Sequence, residues 1–193
     1  FIGSSVSEAL LARGWRVTGI DNFDEFYDPA GKRRNVANLL GNSSFALMET
    51  DIRNQEAMGC ALAKDVDAVV HLAARAGVRP SIEQPVLYQD VNVCGTCVLL
   101  EAARKSGIAK FVFASSSSVY GNNRRVPFSE ADNVDFPISP YAATKKAGEL
   151  LCHTYHHLYG MDVTCLRFFT VYGPRQRPDL AIRKFAELMA AGR

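Results

Sequence analysis

The sequence predicts an α/β domain built on a doubly wound parallel sheet, and three observations support this. Apolar runs of strand length alternate with segments of helical period along the chain. Strand and helix in strict alternation make βαβ units, whose sheet is parallel and covered by helices on both faces. The bulk numbers suit one such domain: 193 residues, 48% hydrophobic and 22% charged, enough for one sizeable core and too few for a second full domain.

Taken in order, the chain opens with "FIG" and a helical pattern over 4–13, followed by the buried-strand run "WRVTGID" (15–21). A helical pattern near 31–40 leads to "FALMET" (45–50), and one over 54–63 to "VDAVVHLAA" (66–74). A long helical pattern over 81–105 precedes "KFVFASSS" (110–117). The stretch "GNNRRVPFSEADNVDFP" (121–137) is the one long irregular segment, and a loop of that length in a compact domain is usually functional or mobile. A helix over 138–159, the strand "DVTCLRFF" (162–169) and a last helix near 179–191 complete the series. No repeat or low-complexity linker interrupts it, so residues 1–193 read as one domain.

Several function classes drop out on composition. A formal charge of +2 with scattered basic residues carries no nucleic-acid or membrane signature. No apolar stretch approaches the ~18 residues that span a bilayer, and no signal-peptide pattern is found in a chain that opens inside an element. The five cysteines (Cys60, Cys94, Cys97, Cys152 and Cys165) are an odd count, four of them in apolar contexts. They read as reduced, buried thiols of a cytoplasmic protein. "CGTC" at 94–97 has redox or zinc spacing, but it lies inside a helical pattern without a second pair. His153 and His157 share a helix face and read as an exposed face or a subunit contact. No metal site is expected.

In a doubly wound sheet, ligands bind at the carboxyl ends of the strands. Gly3 opens a helix where only glycine lets a backbone approach a pyrophosphate. Asp21 ends the next strand, 18 positions on, where a carboxylate accepts hydrogen bonds from an adenosine ribose and repels a 2′-phosphate, favouring NAD over NADP. The plainer reading is that Asp21 and Asn22 only begin a loop. Lys32, Arg33 and Arg34 offer charge to a 2′-phosphate, the NADP alternative. "TDIRN" places Asp51 and Ile52 where the edge and face of an adenine would sit, and "HLAARAG" places Leu72, Ala73 and Ala74 where the backbone must pass close to a cofactor. Each alone is commonly plain structure; together, at successive strand ends, they favour a dinucleotide.

The strongest local signal is "YAATKKAGE", with Tyr141 and Lys145 four apart on one helix face. Ser139 is a plausible cap and Pro140 sits in the first turn. Bringing a tyrosine from ~10 to ~7 requires roughly 4 kcal/mol of preference for the phenolate, whereas an exposed ion pair supplies ~0–1 kcal/mol. The pair therefore needs a desolvated site and a second positive charge, which an oxidised nicotinamide provides. "FASSSSVYG" supplies serine hydroxyls after a buried strand. Strand termination explains one or two of them, but four in a row at a strand's carboxyl end is harder to dismiss.

These motifs resemble the extended short-chain dehydrogenase/reductase family of nucleotide-sugar epimerases and dehydratases, over essentially the whole chain. Serine, Tyr-x-x-x-Lys, "HLAA", "DI" and "VNVCGT" occur in the family's order and spacing. The resemblance implies a Rossmann-type fold, NAD as cofactor, Tyr141 as base and acid, Lys145 as its partner and ribose ligand, and Ser116 as the hydroxyl on the sugar O4. Ser117 and Ser118 are close competitors for that last role and substrate contacts in their own right. Asn92 matches the asparagine of the family's N-x-x-G-T segment, near the lysine and the cofactor. The family fingerprint Gly-x-x-Gly-x-x-Gly typically ends "GFIG". Phe1, Ile2 and Gly3 are then its last positions, which implies that the first strand and, at the other end, a C-terminal substrate lobe are missing. Weak cofactor binding and little activity are expected of this segment by itself.

The reaction implied turns on residues 117 and 118. Dehydratases of the family carry Asp-Glu before "VYG" and decarboxylases keep a Glu, whereas this chain has two serines. Without a carboxylate there, C5 chemistry lacks its base, and the simplest remaining reaction is inversion at C4 through a 4-keto sugar. "RFFTVYGPRQRPDLA" (167–181) and "HLAARAGVRPS" (71–81) are similar to the subgroup acting on UDP-glucuronate. That implies Thr170 and Arg177 at the sugar carboxylate, a bond suited to a planar guanidinium, and UDP-galacturonate as product. Arg175 and Arg177 as solvated cations or phosphate contacts are the competing reading. The alternatives are UDP-glucose 4-epimerase, another decarboxylase or dehydratase of the family, and a non-catalytic dinucleotide-sensing domain. By analogy with the family the protein would be a homodimer, paired through the helices over 81–105 and 138–159.

Overall fold

The structure is a computed structural model and describes residues 1–63 and 65–193. In chain order the elements are α1 (Ile2–Leu11), β1 (Val17–Asp21), α2 (Pro29–Ala37), β2 (Phe45–Glu49), α3 (Gln55–Ala61), β3 (Ala68–His71), α4 (Val78–Glu83) and α5 (Pro85–Gln89). A π-helical turn (Asp90–Cys94) follows, then α6 (Gly95–Lys105), β4 (Lys110–Ser116), a 3₁₀ turn (Ser117–Tyr120), α7 (Pro140–Tyr159), β5 (Asp162–Phe168) and α8 (Ala181–Ala190). The α/β class and the strand positions are those the sequence predicts. The chain divides into two compact units, Phe1–Thr50 with Thr170–Arg193, and Asp51–Phe169.

In the first unit β1 and β2 pair in parallel, with Val17 opposite Phe45 and Asp21 opposite Glu49. The helix α2 starts where Asp28 Oδ1 accepts from the Ala30 N–H and Pro29 fills the first turn. Arg175, in left-handed conformation at φ 68°, donates to both oxygens of Glu8 on α1 and to the Asn35 carbonyl.

In the second unit β3, β4 and β5 form a parallel sheet in that order. β4 is central, and Phe111, Phe113, Ala114, Ser115 and Ser116 along it are all buried. The helix α7 begins as predicted: Ser139 Oγ accepts from the Ala142 N–H over 3.1 Å, Pro140 sits in the first turn, and Gly160 closes the helix in the left-handed conformation at φ 67°. Gly148 faces β4, where an added Cβ would lie 2.2 Å from Phe113 Cζ. The irregular segment 121–137 is held to the unit: Phe128 packs on the buried Val119, Tyr120 and Val134, stacking on the Tyr120 ring at 4.6 Å.

Two expectations are corrected. The helix predicted over 81–105 is broken into α4, α5, the π-helical turn and α6. Pro85 disfavours a helical conformation at the preceding residue, and Gln84 sits at φ −129°, ψ 52°. The cysteines are all free, but only Cys152 is buried; Cys60, Cys94 and Cys165 are exposed. Apolar neighbours in sequence do not decide which side of a turn faces inward. Cys94 is exposed while Asn92, two residues earlier on the same turn, is buried. Among the described residues no helix is long and apolar enough to cross a membrane, and no group of three His, Cys, Asp or Glu side chains could hold a metal.

Candidate active site

The second unit assembles its chemistry between the carboxyl end of β4 and the first turns of α7. Helical spacing places Tyr141 and Lys145 on one face, with the Lys145 Nζ 6.0 Å from the centre of the Tyr141 ring. Lys145 is only 4% exposed. Its ammonium donates to the Ala114 carbonyl over 2.8 Å and lies 5.1 Å from the centre of the Phe113 ring. Burial disfavours the charged form and lowers its pKa to about 8. Tyr141 is half-buried, and the fully buried Tyr88 meets its ring edge to face at 6.3 Å. The Tyr88 hydroxyl donates to the Ala76 carbonyl over 2.8 Å.

The four serines take different positions because β4 ends among them. Ser115 is buried and donates to Glu149 Oε1 of α7 over 2.5 Å. Ser116, also buried, points its Oγ at the Ser118 N–H (3.1 Å) and so caps the 3₁₀ turn. This uses Oγ as acceptor and leaves the hydroxyl proton for donation. Ser117 and Ser118 are half-buried within the turn.

Behind this face lies an ion pair. The Glu149 carboxylate accepts from Arg167 Nε and Nη2, each over 2.9 Å. Burial acts to raise the Glu149 pKa, but Arg167 and Ser115 outweigh it and hold the group below its ordinary range. Arg167 also donates to the Tyr120 hydroxyl over 3.3 Å.

Asn92 lies in the π-helical turn, buried, and ties two segments together. Its Oδ1 accepts from the Arg75 N–H (2.8 Å), and its Nδ2 donates to the Arg75 carbonyl (3.0 Å) and to Thr144 Oγ1 (3.0 Å). Thr144 in turn donates to the Tyr141 carbonyl over 2.8 Å. His71 and Thr96 complete this network, and sequence reasoning missed them along with Thr144. The available signal was a histidine at the buried end of a strand and a threonine one helical turn after Asn92.

Of the residues expected at the cofactor, Asp21, Asn22, Asp51, Ile52 and Leu72–Ala74 lie at or just after strand ends. Leu72, Ala73 and Ala74 directly follow β3 and are half-buried. Ile52 is buried against Gly95, where a Cβ would lie 2.6 Å from Ile52 Cδ1. The Asp51 carboxylate is bound by Arg53, with Nη2 to Oδ2 at 2.8 Å, and Arg53 also bonds Asp90. In the first unit Phe1, Ile2 and Gly3 form the start of α1, and the Ser4 hydroxyl donates to the Phe1 carbonyl. Asp21 ends β1 exposed, one oxygen accepting from the Phe23 N–H (2.7 Å), and Asn22 Oδ1 accepts from the Asp24 N–H. Arg33 is committed to Glu49 through two bonds, and Lys32 donates to the Asp24 carbonyl. Thr170 is exposed, while Arg177 pairs with Asp179 and lies 5.5 Å from the centre of the Phe26 ring.

The chain is similar to known proteins along its whole length. The chain is 47% identical over 186 residues to a UDP-glucuronate 4-epimerase of Thermodesulfobacterium geofontis, covering 96% of this chain and 57% of that protein. It is 48% identical over 199 residues to UDP-glucuronate 4-epimerase 1 of Arabidopsis thaliana, covering 100% of this chain and 45% of that protein. Among solved structures it superposes on the UDP-glucuronic acid 4-epimerase of Bacillus cereus, crystallised with UDP-glucuronic acid and NAD, with a TM-score of 0.92 and 40% identity. That match covers 99% of this chain and 60% of the solved one. The chain thus spans about half the length of the curated relatives it matches. The model of the GDP-mannose 4,6 dehydratase family matches residues 1–192, and the chain belongs to that family.

Proposed function

We propose that the chain serves an NAD-dependent nucleotide-sugar 4-epimerase converting UDP-glucuronate to UDP-galacturonate. The observation that carries this reading is a tyrosine–lysine pair whose lysine is buried, next to a serine turn that has no carboxylate at 117 or 118. The residues suit a dinucleotide. Ala73 and Ala74 put no bulky side chain at the exit of β3, and Asp21 is exposed at the end of β1. When bound, NAD supplies the hydride acceptor and donor for C4.

The protein's own residues handle the protons. Tyr141 takes the O4 proton on oxidation and returns it on reduction. Lys145, itself only 4% exposed and held near Tyr141, favours the phenolate through its charge and orients the ribose. Ser116 donates a hydrogen bond to the sugar O4 and keeps its proton, with Ser117 and Ser118 as neighbouring contacts. No carboxylate stands in the turn to remove the C5 proton, so the keto sugar has inversion open to it rather than elimination. Thr170 and Arg177 address the uronate carboxylate.

One observation favours a second reading, UDP-glucose as substrate. Arg177 is already paired with Asp179, with bonds of 3.1 and 2.9 Å, which reduces its call for an acidic sugar. Proton NMR separates the two: formation of UDP-galacturonate from UDP-glucuronate supports the uronate reading, and conversion of UDP-glucose alone overturns it. Tyr141→Phe should retain NAD binding and lose about 10²–10⁴-fold in turnover. Turnover unchanged in that variant would remove the mechanism and favour a non-catalytic dinucleotide sensor.

Two further readings belong here. The five free thiols fit a reducing, cytoplasmic setting. Leu150, Leu158 and Tyr159 on α7, each at least half exposed, fit a homodimer contact, which analytical ultracentrifugation tests.

A further inference from the structure

Leu72–Ala74, the segment leaving β3, is anchored on both sides. After it, the Arg75 backbone is gripped at N–H and carbonyl by the Asn92 side chain. Before it, His71 Nε2 lies 2.9 Å from Thr96 Oγ1, and Thr96 donates to the Asn92 carbonyl over 2.5 Å. Both anchors end on the same residue of the π-helical turn. Asn92 then passes the connection to Thr144 and the Tyr141 carbonyl in the first turn of α7.

The proton direction along this chain is determined. A threonine hydroxyl has one proton, and here it goes to a carbonyl, which only accepts. His71 Nε2 must therefore donate to Thr96, which fixes the Nε2–H tautomer if the ring is neutral. Burial, with a smaller contribution from the charge of Lys145, lowers the His71 pKa to about 3 and keeps the ring neutral. All three residues are buried, at 4% for His71, 0% for Thr96 and 3% for Asn92, so water offers no ready substitute for a lost bond.

We propose that His71 is a positioning residue that acts through Thr96 and Asn92 to hold the Leu72–Ala74 backbone in the conformation that receives the cofactor. This rests on the dinucleotide reading of that segment. A backbone already ordered in the folded protein does not have to be ordered at binding, so loss of the anchor weakens binding by the fraction of time the segment spends out of place.

The test combines amide hydrogen exchange without cofactor and calorimetric titration with NAD, on wild type, His71→Leu, His71→Gln and Thr96→Val. Gln places an N–H near the position of Nε2, whereas Leu and Val remove one member of the relay. His71→Leu and Thr96→Val should raise exchange at residues 72–75 while β5 retains wild-type protection. Their Kd for NAD should rise about tenfold, as expected if the segment is ordered a tenth of the time. His71→Gln should recover most of both. Wild-type exchange at 72–75 in the Leu and Val variants overturns the proposal, as does a uniform rise across the unit with no recovery in Gln. If His71→Leu fails to fold, Thr96→Val decides by the same criteria. Wild type that does not bind NAD, with exchange at 72–75 still raised in the variants, overturns the cofactor reading and upholds the anchoring.

Discussion

The Lys145 ammonium donates to the Ala114 carbonyl over 2.8 Å, fastening α7 to β4 two residues before Ser116. One bond thus sets the spacing between the helix that carries Tyr141 and the strand that delivers the serine hydroxyls. It also places a cation in a site that water scarcely reaches.

That cation makes stability depend on alkaline pH. The unfolded chain keeps the Lys145 proton up to about 10.5, whereas the folded protein releases it from about 8. Between these values the unfolded state binds more protons, so this group makes unfolding harder as pH rises. Below pH 8 the penalty of burying the charge is fully present and corresponds to roughly 3 kcal/mol. Lys145→Met removes the penalty together with the bond to Ala114. Urea denaturation should find the variant's stability relative to wild type greatest at pH 7 and declining between pH 8 and 10. A difference that does not change with pH would mean the lysine is not desolvated.

Much of this arrangement was legible in the sequence, and the rest was not, for physical reasons. The Ser139 cap and Pro140 in the first turn are local chemistry, so Tyr141 and Lys145 could be placed on one helix face from spacing alone. The break at Gln84 was signalled by Pro85 but masked by the strong apolar period on either side. The pairing of Asn92 with Arg75 joins residues 17 apart, and that of Asn92 with Thr144 joins residues 52 apart. Neither leaves a periodic trace. The role of Thr96 depends on its hydroxyl reaching back to the Asn92 carbonyl, which spacing permits but does not single out.

Gly148 is the position on α7 least able to carry a side chain. An alanine Cβ would lie 2.2 Å from Phe113 Cζ and 2.7 Å from Cε1, and the Phe113 ring, at 1% exposure, has nowhere to swing. Alanine normally stabilises a helix interior by up to ~1 kcal/mol relative to glycine. Overpacking should outweigh that gain, and Gly148→Ala is expected to lose about 1–3 kcal/mol. Thermal unfolding checks this, and a rise in Tm would contradict the close approach of α7 to β4.

The Glu149–Arg167 pair is nearly enclosed, with side-chain exposures of 11% and 18%. Removing one partner strands the other charge, so Glu149→Gln should lose about 3–5 kcal/mol in urea unfolding. The double replacement Glu149→Leu with Arg167→Met leaves no stranded charge and should lose less than the single change. The Ser115 hydroxyl would then lack its acceptor, which sets a small residual cost of about 1 kcal/mol.

Arg177 offers the sharpest test of the substrate. Its bond to Asp179 involves a partner whose side chain is 43% exposed, and such half-exposed pairs contribute only ~0–1 kcal/mol. Exchanging Asp179 for a substrate carboxylate would therefore cost little, so the pair lowers a preference for the uronate without abolishing it. Asp179→Asn should lower KM for UDP-glucuronate by at most about fivefold and leave KM for UDP-glucose unchanged. Arg177→Ala should raise KM for the uronate by roughly 10- to 150-fold, the range of a charged hydrogen bond, with little effect on the neutral sugar. If both substrates weaken equally, Arg177 contacts a part they share, such as the diphosphate, and the uronate reading loses its support at this residue.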